Sequence, residues 1–367
     1  MGTCKSCQRK SPTISQKIGF CASCLRDFWQ EIKPELEKIH RHTRRAFGLL
    51  EEPPRDPDGV PCRLCHHFCR LPEGESGYCG VWQNRRGRLE GPGPSAAYVS
   101  WYLDPLPTNC VADFVCAGGT GVGYPRFAHF PGPEKGFANL AVFYEACNFN
   151  CLYCQNWHFK LRRKDLLKPV EKIFLDLKEY VSCICYFGGD PGPQSPHALS
   201  FSRKALKKRR GEILRICWET NGAENTPIIC EMMRLSMASG GCLKVDLKAF
   251  SLPIHFTLCG VSNEMTLKNF KMLASFVEKR PVPPPLVAST LLVPGYVDEE
   301  EIEGLAKFIA SLSKDIPWSF LAFYPAFYLD DLPTTSRRHA EMAISIAKRY
   351  GIRRVHIGNR HLLSEAY

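Results

Sequence analysis

The chain has 367 residues, 44% hydrophobic and 23% charged, with a formal net charge of +11. These are the proportions of a soluble globular protein with one large core and an appendage; no apolar run of about 18 residues and no N-terminal h-region is present, which argues against a membrane span and against secretion. Nineteen cysteines, many in C-x2-C or C-x3-C groups and without a signal peptide, read as metal ligands in a reducing cytoplasm rather than as disulfides.

Cys4-x2-Cys7 and Cys21-x2-Cys24 form two knuckles with the spacing of a zinc ribbon. The stretch has few large apolar residues and cannot build a core without such a staple. A basic helical stretch follows from Asp27 to about Phe47. Together with Arg203 to Arg215 it holds part of the charge excess, and solvated helix faces explain both segments better than a nucleic-acid surface. Glu51 to Gly59 is a turn-rich linker. Cys62-x2-Cys65-x3-Cys69-x9-Cys79 comes next, and zinc and an auxiliary iron–sulfur cluster both fit its four thiols; the spacing does not separate them. Cys110 and Cys116 flank Asp113 before Gly118-Gly119-Thr120-Gly121, which lacks the Gly-Lys-Ser/Thr of a P-loop and does not open a clear helix. For these two thiols, chemistry and inert packing stand level.

From about Asn139 short apolar runs alternate with longer amphipathic segments. Strands are expected at Leu140–Glu145, Ser182–Phe187, Leu214–Trp218, Leu243–Leu247, Leu286–Val293, Ser319–Tyr324 and Val355–Ile357. Each spacing leaves room for a crossover helix, so the fold class is α/β: a partial (β/α)6-type TIM barrel with a small cysteine-rich N-terminal region. The expected division is 1–50, a zinc-ribbon-like segment plus helix; 51–134, linker and cysteine-rich accessory region; and 135–367, the barrel. Cys183, Cys185, Cys217 and Cys242 lie in or beside strands and read as small buried hydrophobes. His158 and His197, just past motif-bearing loops, read as structural or solvated, and Asp330, Asp331, Thr334 and Thr335 as a polar turn where substrate contacts would otherwise fall.

Chemistry in such a barrel sits where strands end. There the sequence places Cys147-x3-Cys151-x2-Cys154, then Gly188-Gly189-Asp190, then Glu219-Thr220-Asn221-Gly222, then Asp246-Leu247-Lys248. Three thiolates in one loop suit a zinc ion with a fourth ligand such as His158, or a [4Fe-4S] cluster whose fourth iron stays open.

The run Cys147-Asn148-Phe149-Asn150-Cys151-Leu152-Tyr153-Cys154 resembles the signature of the radical S-adenosylmethionine (radical SAM) enzymes, aromatic before the third cysteine included. The resemblance implies that Cys147, Cys151 and Cys154 bind three irons, that SAM chelates the fourth, that Tyr153 approaches the adenine, and that Gly188, Gly189 and Asp190 receive the SAM ammonium. Asp246 and Lys248 resemble an Asp-x-Lys element of the pyruvate formate-lyase activating enzyme branch, which implies SAM contact, and Glu219 stands where that branch has an acidic residue near the ribose. Leu291 to Gly295 matches its fifth-strand pattern; Ser289 and Tyr324 depart from it, replacing an arginine and a histidine. Cys62 to Cys69 with Gly77-Tyr78-Cys79-Gly80 resembles the N-terminal segment of AmmeMemoRadiSam-system radical SAM proteins.

The expectation is therefore a cytoplasmic enzyme that takes one electron from a flavodoxin- or ferredoxin-type donor, cleaves SAM reductively at a [4Fe-4S] cluster and removes a hydrogen atom with the resulting 5′-deoxyadenosyl radical. A protein substrate, in the manner of a glycyl-radical activase, is the nearest function by resemblance. No membrane or nucleic-acid partner is expected, and no residue is singled out as the catalytic acid or base. The rival is a non-catalytic zinc and nucleic-acid-binding protein.

Overall fold

The computed structural model describes residues 1–161 and 167–367. At the N-terminus β1 (Gly2–Thr3) pairs with β2 (Lys10–Ser11), and α1 (Ala22–Asp27) and α2 (Trp29–Arg45) follow. Ile32, Leu36, His40 and Thr43 of α2 are buried, a stripe at helical spacing that faces inward. Two small hairpins come next, β3 (Val60–Pro61) with β4 (Arg70–Leu71), and β5 (Gln83–Arg85) with β6 (Arg88–Glu90).

The remaining strands are β7 (Ala96–Pro105), β8 (Ala138–Tyr144), β9 (Leu167–Pro169), β10 (Val181–Gly188), β11 (Arg215–Thr220), β12 (Leu243–Asp246), β13 (Leu286–Leu292), β14 (Trp318–Ala322) and β15 (Val355–Gly358). They form one nine-stranded sheet in the order β15-β14-β13-β12-β11-β10-β8-β7-β9. All pairs from β8 through β10 to β15 are parallel, whereas β7 and β9 extend the edge antiparallel. The helices are α3 (Ala117–Thr120), α4 (Val170–Phe174), α5 (Ser195–Lys208), α6 (Thr226–Ser239), α7 (Leu252–Cys259), α8 (Glu264–Ala274), α9 (Glu299–Leu312) and α10 (Arg337–Arg349). From α5 onward they fill the crossovers that parallel pairing demands. The seven expected parallel strands are all present, and the sheet ends at β15 and β9 without closing.

Side chains alternate across the strands. Ile184, Tyr186, Ile216 and Trp218 are fully buried; Tyr186 and Trp218 stack at 4.5 Å, and the Trp218 indole donates to Met232 O of α6 at 3.1 Å. Burying each such side chain stabilises the fold by roughly 1.5–3 kcal/mol. The alternate residues, Cys185, Cys217 and Lys244, face a different neighbour, the chain segment around residues 106–120. Ala112 and Val115 pack on Cys185, Cys217, Cys242 and Val287, and Phe114 stacks on His356 of β15 at 4.7 Å. The sheet's inner face is thus filled by upstream chain rather than by its own side chains alone.

Several expectations change. β7 runs for ten residues through what reads as irregular sequence. The glycine run does enter one helical turn, α3, with the Cys116 sulfur accepting from Gly119 N. The basic segments are not uniformly solvated: Arg44, Arg209 and Arg215 are buried. Arg209 donates to the carbonyls of Lys178, Glu179 and Val181, and Arg215 forms a bidentate pair with Glu134 at 2.6 and 2.8 Å. Asp330 and Asp331 do not face the mouth; they hold the N-terminal segment, through Lys17 and through Ser15 and Gln16.

Candidate active site

The loop after β8 is pinned from three sides. Asn150 N donates to Cys259 O and Leu152 N to Leu258 O, both at 2.9 Å, fixing the loop on the end of α7. Leu152 O accepts from Tyr328 and Leu329. Asn150 Nδ2 donates to Thr43 at 2.9 Å and meets His40 Nδ1 at 3.0 Å, so α2 braces the same loop. Lys160 closes the set on Asn150 Oδ1.

Cys147, Cys151 and Cys154 open together into a cleft of about 270 Å³ that is also lined by Gly188, Gly189, Asp190, Glu219, Thr220, Asp246 and Lys248. Tyr153 lines it too, with its hydroxyl 3.8 Å from Cys259 Sγ. The four strand-end motifs read from the sequence therefore share one mouth. No histidine and no fourth cysteine lines this cleft among the described residues; His158 instead stacks on Trp157 at 4.1 Å. A hydrogen bond from Cys259 brings the Cys151 thiol down to about 7 against its burial. Burial pushes Cys154 up to about 12 and holds Cys147 well above the ordinary thiol range.

The Gly-Gly pair is sterically required. A Cβ on Gly188, whose φ is +118°, would lie 2.5 Å from Tyr144 N, and one on Gly189 would lie 2.2 Å from Ala146 O. Asn156 Nδ2 donates to Gly188 O at 3.2 Å. Asp190 is buried with its carboxylate already engaged: Oδ1 accepts from Gly192 N at 2.7 Å, and Oδ2 from Asn221 N at 2.8 Å and Thr220 Oγ1 at 3.0 Å. It ties the β10 loop to the β11 loop. Asn221 reaches across to Asn148 Oδ1 at 2.6 Å and so links the β11 loop to the cysteine loop.

Lys248 Nζ lies 2.5 Å from Asp246 Oδ2 and 6.0 Å from the centre of the Tyr153 ring. Burial opposes its charge, but Asp246 and Cys151 outweigh that and keep its pKa raised. Ser289, buried on β13, donates to Asp246 Oδ1, whereas Tyr324 is 53% exposed and does not line the cleft.

A second cavity of about 110 Å³ lies along the inner face and shares Phe187 and Glu219 with the first. Cys110, Cys116, Cys183, Cys185, Cys217 and Cys242 all line it. In it the buried Lys244 ammonium contacts Glu219 Oε1 at 2.9 Å, Cys185 Sγ at 3.0 Å and Cys110 Sγ at 3.1 Å. Sequence reasoning missed this gathering: alternation marks a thiol as inward, and only the assembled sheet shows that inward means a cavity.

At the N-terminus the sulfurs of Cys4, Cys7, Cys21 and Cys24 all lie within 4.8 Å of one another, the one such set among the described residues. Cys7 and Cys21 are 3.8 Å apart, about the edge of a thiolate tetrahedron with 2.3 Å bonds to one ion. His197, inside α5, meets the Tyr144 hydroxyl at 2.8 Å and is buried and structural.

An open parallel α/β sheet with a three-cysteine loop at its C-terminal mouth is an enzyme architecture. Residues 141–309 match the family model described as the Radical SAM superfamily. This chain is an enzyme that carries a radical SAM domain, and the non-catalytic reading is set aside. It is 24% identical over 314 residues to an uncharacterized protein of Methanocaldococcus jannaschii, covering 83% of this chain and 82% of that one. It is 26% identical over 165 residues to pyruvate formate-lyase 1-activating enzyme of Escherichia coli, covering 44% of this chain and 63% of that protein. Among solved structures, a domain of pyruvate-formate lyase-activating enzyme from Bacteroides vulgatus aligns with 24% identity and a TM-score of 0.39, covering 48% of this chain and 98% of that one. No helix among the described residues is long and apolar enough to cross a membrane.

Proposed function

We propose that Cys147, Cys151 and Cys154 hold a [4Fe-4S] cluster with SAM on its open iron, and that the chain uses it for hydrogen abstraction. One observation carries this reading: the three thiols open onto the same cleft as Gly188 to Asp190, Glu219, Asp246 and Lys248. One feature favours a cluster over a single zinc: among the described residues no imidazole lines the cleft to complete a zinc set.

Cys147, Cys151 and Cys154 would hold the cluster, and the chemistry it would supply is one-electron reductive cleavage of the SAM sulfonium. The chain's own residues do the rest. Lys248 and Asp246 present a fixed ion pair to the polar part of the ligand. Gly188 and Gly189 let backbone approach without a Cβ, Tyr153 offers a ring face, and Glu219 borders the space beyond. Asp190 acts chiefly by holding two loops in register, since three donors already occupy it.

The functional regions proposed are 1–50, a zinc-bearing segment with its helix; 51–134, the cysteine-rich accessory region; and 135–367, the catalytic sheet and helices. In this reading Cys4, Cys7, Cys21 and Cys24 hold zinc, the electron comes from a flavodoxin- or ferredoxin-type protein in the cytoplasm, and a partner protein is the substrate. The similarity to an activating enzyme supports that last point. Anaerobic reconstitution, reduction and addition of SAM should give 5′-deoxyadenosine, and Cys151→Ala should give none; equal formation by the two would overturn the reading.

A further inference from the structure

The cavity on the inner face brings one amine against two thiols. Lys244 Nζ lies 3.0 Å from Cys185 Sγ, 3.1 Å from Cys110 Sγ and 2.9 Å from Glu219 Oε1. Both sulfur contacts are shorter than the 3.3 Å at which backbone amides reach Cys116 and Cys147. A lysine ordinarily carries its ammonium out to water, whereas Lys244 is 2% exposed. It stands on β12 in register with Glu219 of β11, so strand pairing holds the amine beside the carboxylate and the sulfurs.

The two thiols differ in what surrounds them. Cys185 belongs to β10, paired on both sides in the parallel ladder. Cys110 belongs to the segment laid over the inner face, outside any strand or helix, and no ladder resists a small shift of its sulfur. Its thiol donates to Glu219 Oε1 at 3.5 Å and accepts from Ala112 N at 3.5 Å. A carboxylate is thus placed to take its proton and an amide to hold the thiolate, the form that oxidants attack. Cys110 also lines a neighbouring cavity of about 260 Å³ that shares Val111, Gln155, Leu321 and Asn359 with the cleft of the three-cysteine loop. A small oxidant that enters the cleft has a route to it.

We infer that Lys244 and Cys110 are a modification site, at which dioxygen joins Nζ to Sγ through one bridging oxygen atom. Glu219, in contact with both groups, receives the proton that the ammonium first releases. The Cys110 thiol, the Lys244 amine and one dioxygen molecule then give the N–O–S bridge and one water. The S–H bond and one N–H bond break, and one N–O and one O–S bond form. Nitrogen and sulfur each give up two electrons, and the two oxygen atoms take up all four. One oxygen stays in the bridge, and the other leaves as water with the two hydrogens.

The geometry selects this product over its rivals. A direct sulfur–nitrogen bond would have to pull the two atoms together across much of the 3.1 Å gap, whereas an intervening oxygen spreads that gap over two bonds. A Cys110–Cys185 disulfide would have to displace the ammonium that both sulfurs contact. The bridge removes the Lys244 charge, leaves Glu219 at the edge of the cleft without its cation, and fastens the covering segment to β12. None of this depends on the function proposed for Cys147, Cys151 and Cys154.

The test uses the full chain, purified and held without oxygen, with one half then exposed to dioxygen. Both halves are unfolded, free thiols are alkylated, and the proteolytic peptides are weighed and fragmented. The exposed half should yield a crosslinked pair of peptides joined at Cys110 and Lys244, with a mass equal to their sum plus one oxygen less two hydrogens; the other half should lack it. Lys244→Met and Cys110→Ser should each lose the pair, and Cys185→Ser should keep it. A pair without the added oxygen, a Cys110–Cys185 disulfide, an oxidised Cys110 beside unmodified Lys244, or no change at either residue would each overturn the bridge. If a variant does not fold, the wild-type pair decides alone, because fragmentation identifies both joined residues.

Discussion

Glu224 and Asp190 bury two carboxyl groups side by side, each with one oxygen against the hydroxyl of Thr220. Burial and the neighbouring Asp190 charge hold the Glu224 carboxyl well above its ordinary range, which favours its protonated form. Glu224 thus supports the loop that carries Asn221 and, through it, the cysteine loop.

A carboxyl whose pKa is raised on folding makes the folded state hold the extra proton, so its contribution falls as pH rises above the unfolded value near 4.5. Glu224→Gln keeps the side chain's size and removes that dependence. Its melting temperature should gain on the wild type by a few degrees between pH 5 and pH 8. Parallel pH profiles would show that Glu224 ionises freely in the fold.

Glu134 and Arg215 form a buried pair, supported by Ser182 and by Phe127 O. Removing one partner strands the other charge, so Glu134→Ala should cost about 3–5 kcal/mol in urea unfolding. A loss below about 1 kcal/mol would mean that water reaches the guanidinium.

Lys248→Met keeps the side chain's length and removes its charge from the cleft. Loss of one preorganised electrostatic contact commonly costs about 10²–10³ in rate, and 5′-deoxyadenosine formation should fall by about that much while iron content stays at the wild-type level. Unchanged turnover would place the SAM polar groups elsewhere.

For the N-terminal four cysteines, Cys21→Ala should lower bound zinc by one ion per chain, read by elemental analysis. Because Ser15 N bonds the Tyr296 hydroxyl at 3.1 Å and Arg26 pairs with Asp298 at 2.7 Å, the same variant should also lower the melting temperature of the whole molecule. Unaltered zinc would reject this site.

The parallel strands were legible because buried parallel strands read as short apolar runs at crossover spacing, and the cysteine loop because its spacing and aromatic are local. β7 escaped because an antiparallel strand, second from the sheet's edge, falls outside that rhythm. Glu224 escaped because an acid shortly before α6 looks like a helix-start residue, and only the docking of two loops turns it inward. Arg44, Arg209 and Arg215 looked like solvent-facing charges; most of their partners, largely backbone carbonyls, lie tens of residues away in sequence and leave no pattern near them.

The upstream segment lodged against the inner face bears on how the molecule can be cut. A fragment starting at residue 135 would lack Glu134, leaving Arg215 without its carboxylate, and would bare Cys185, Cys217 and Cys242 along a concave surface that has lost Ala112 and Val115. Such a piece should oxidise and aggregate, so the catalytic half is a functional region without being an independently expressible one.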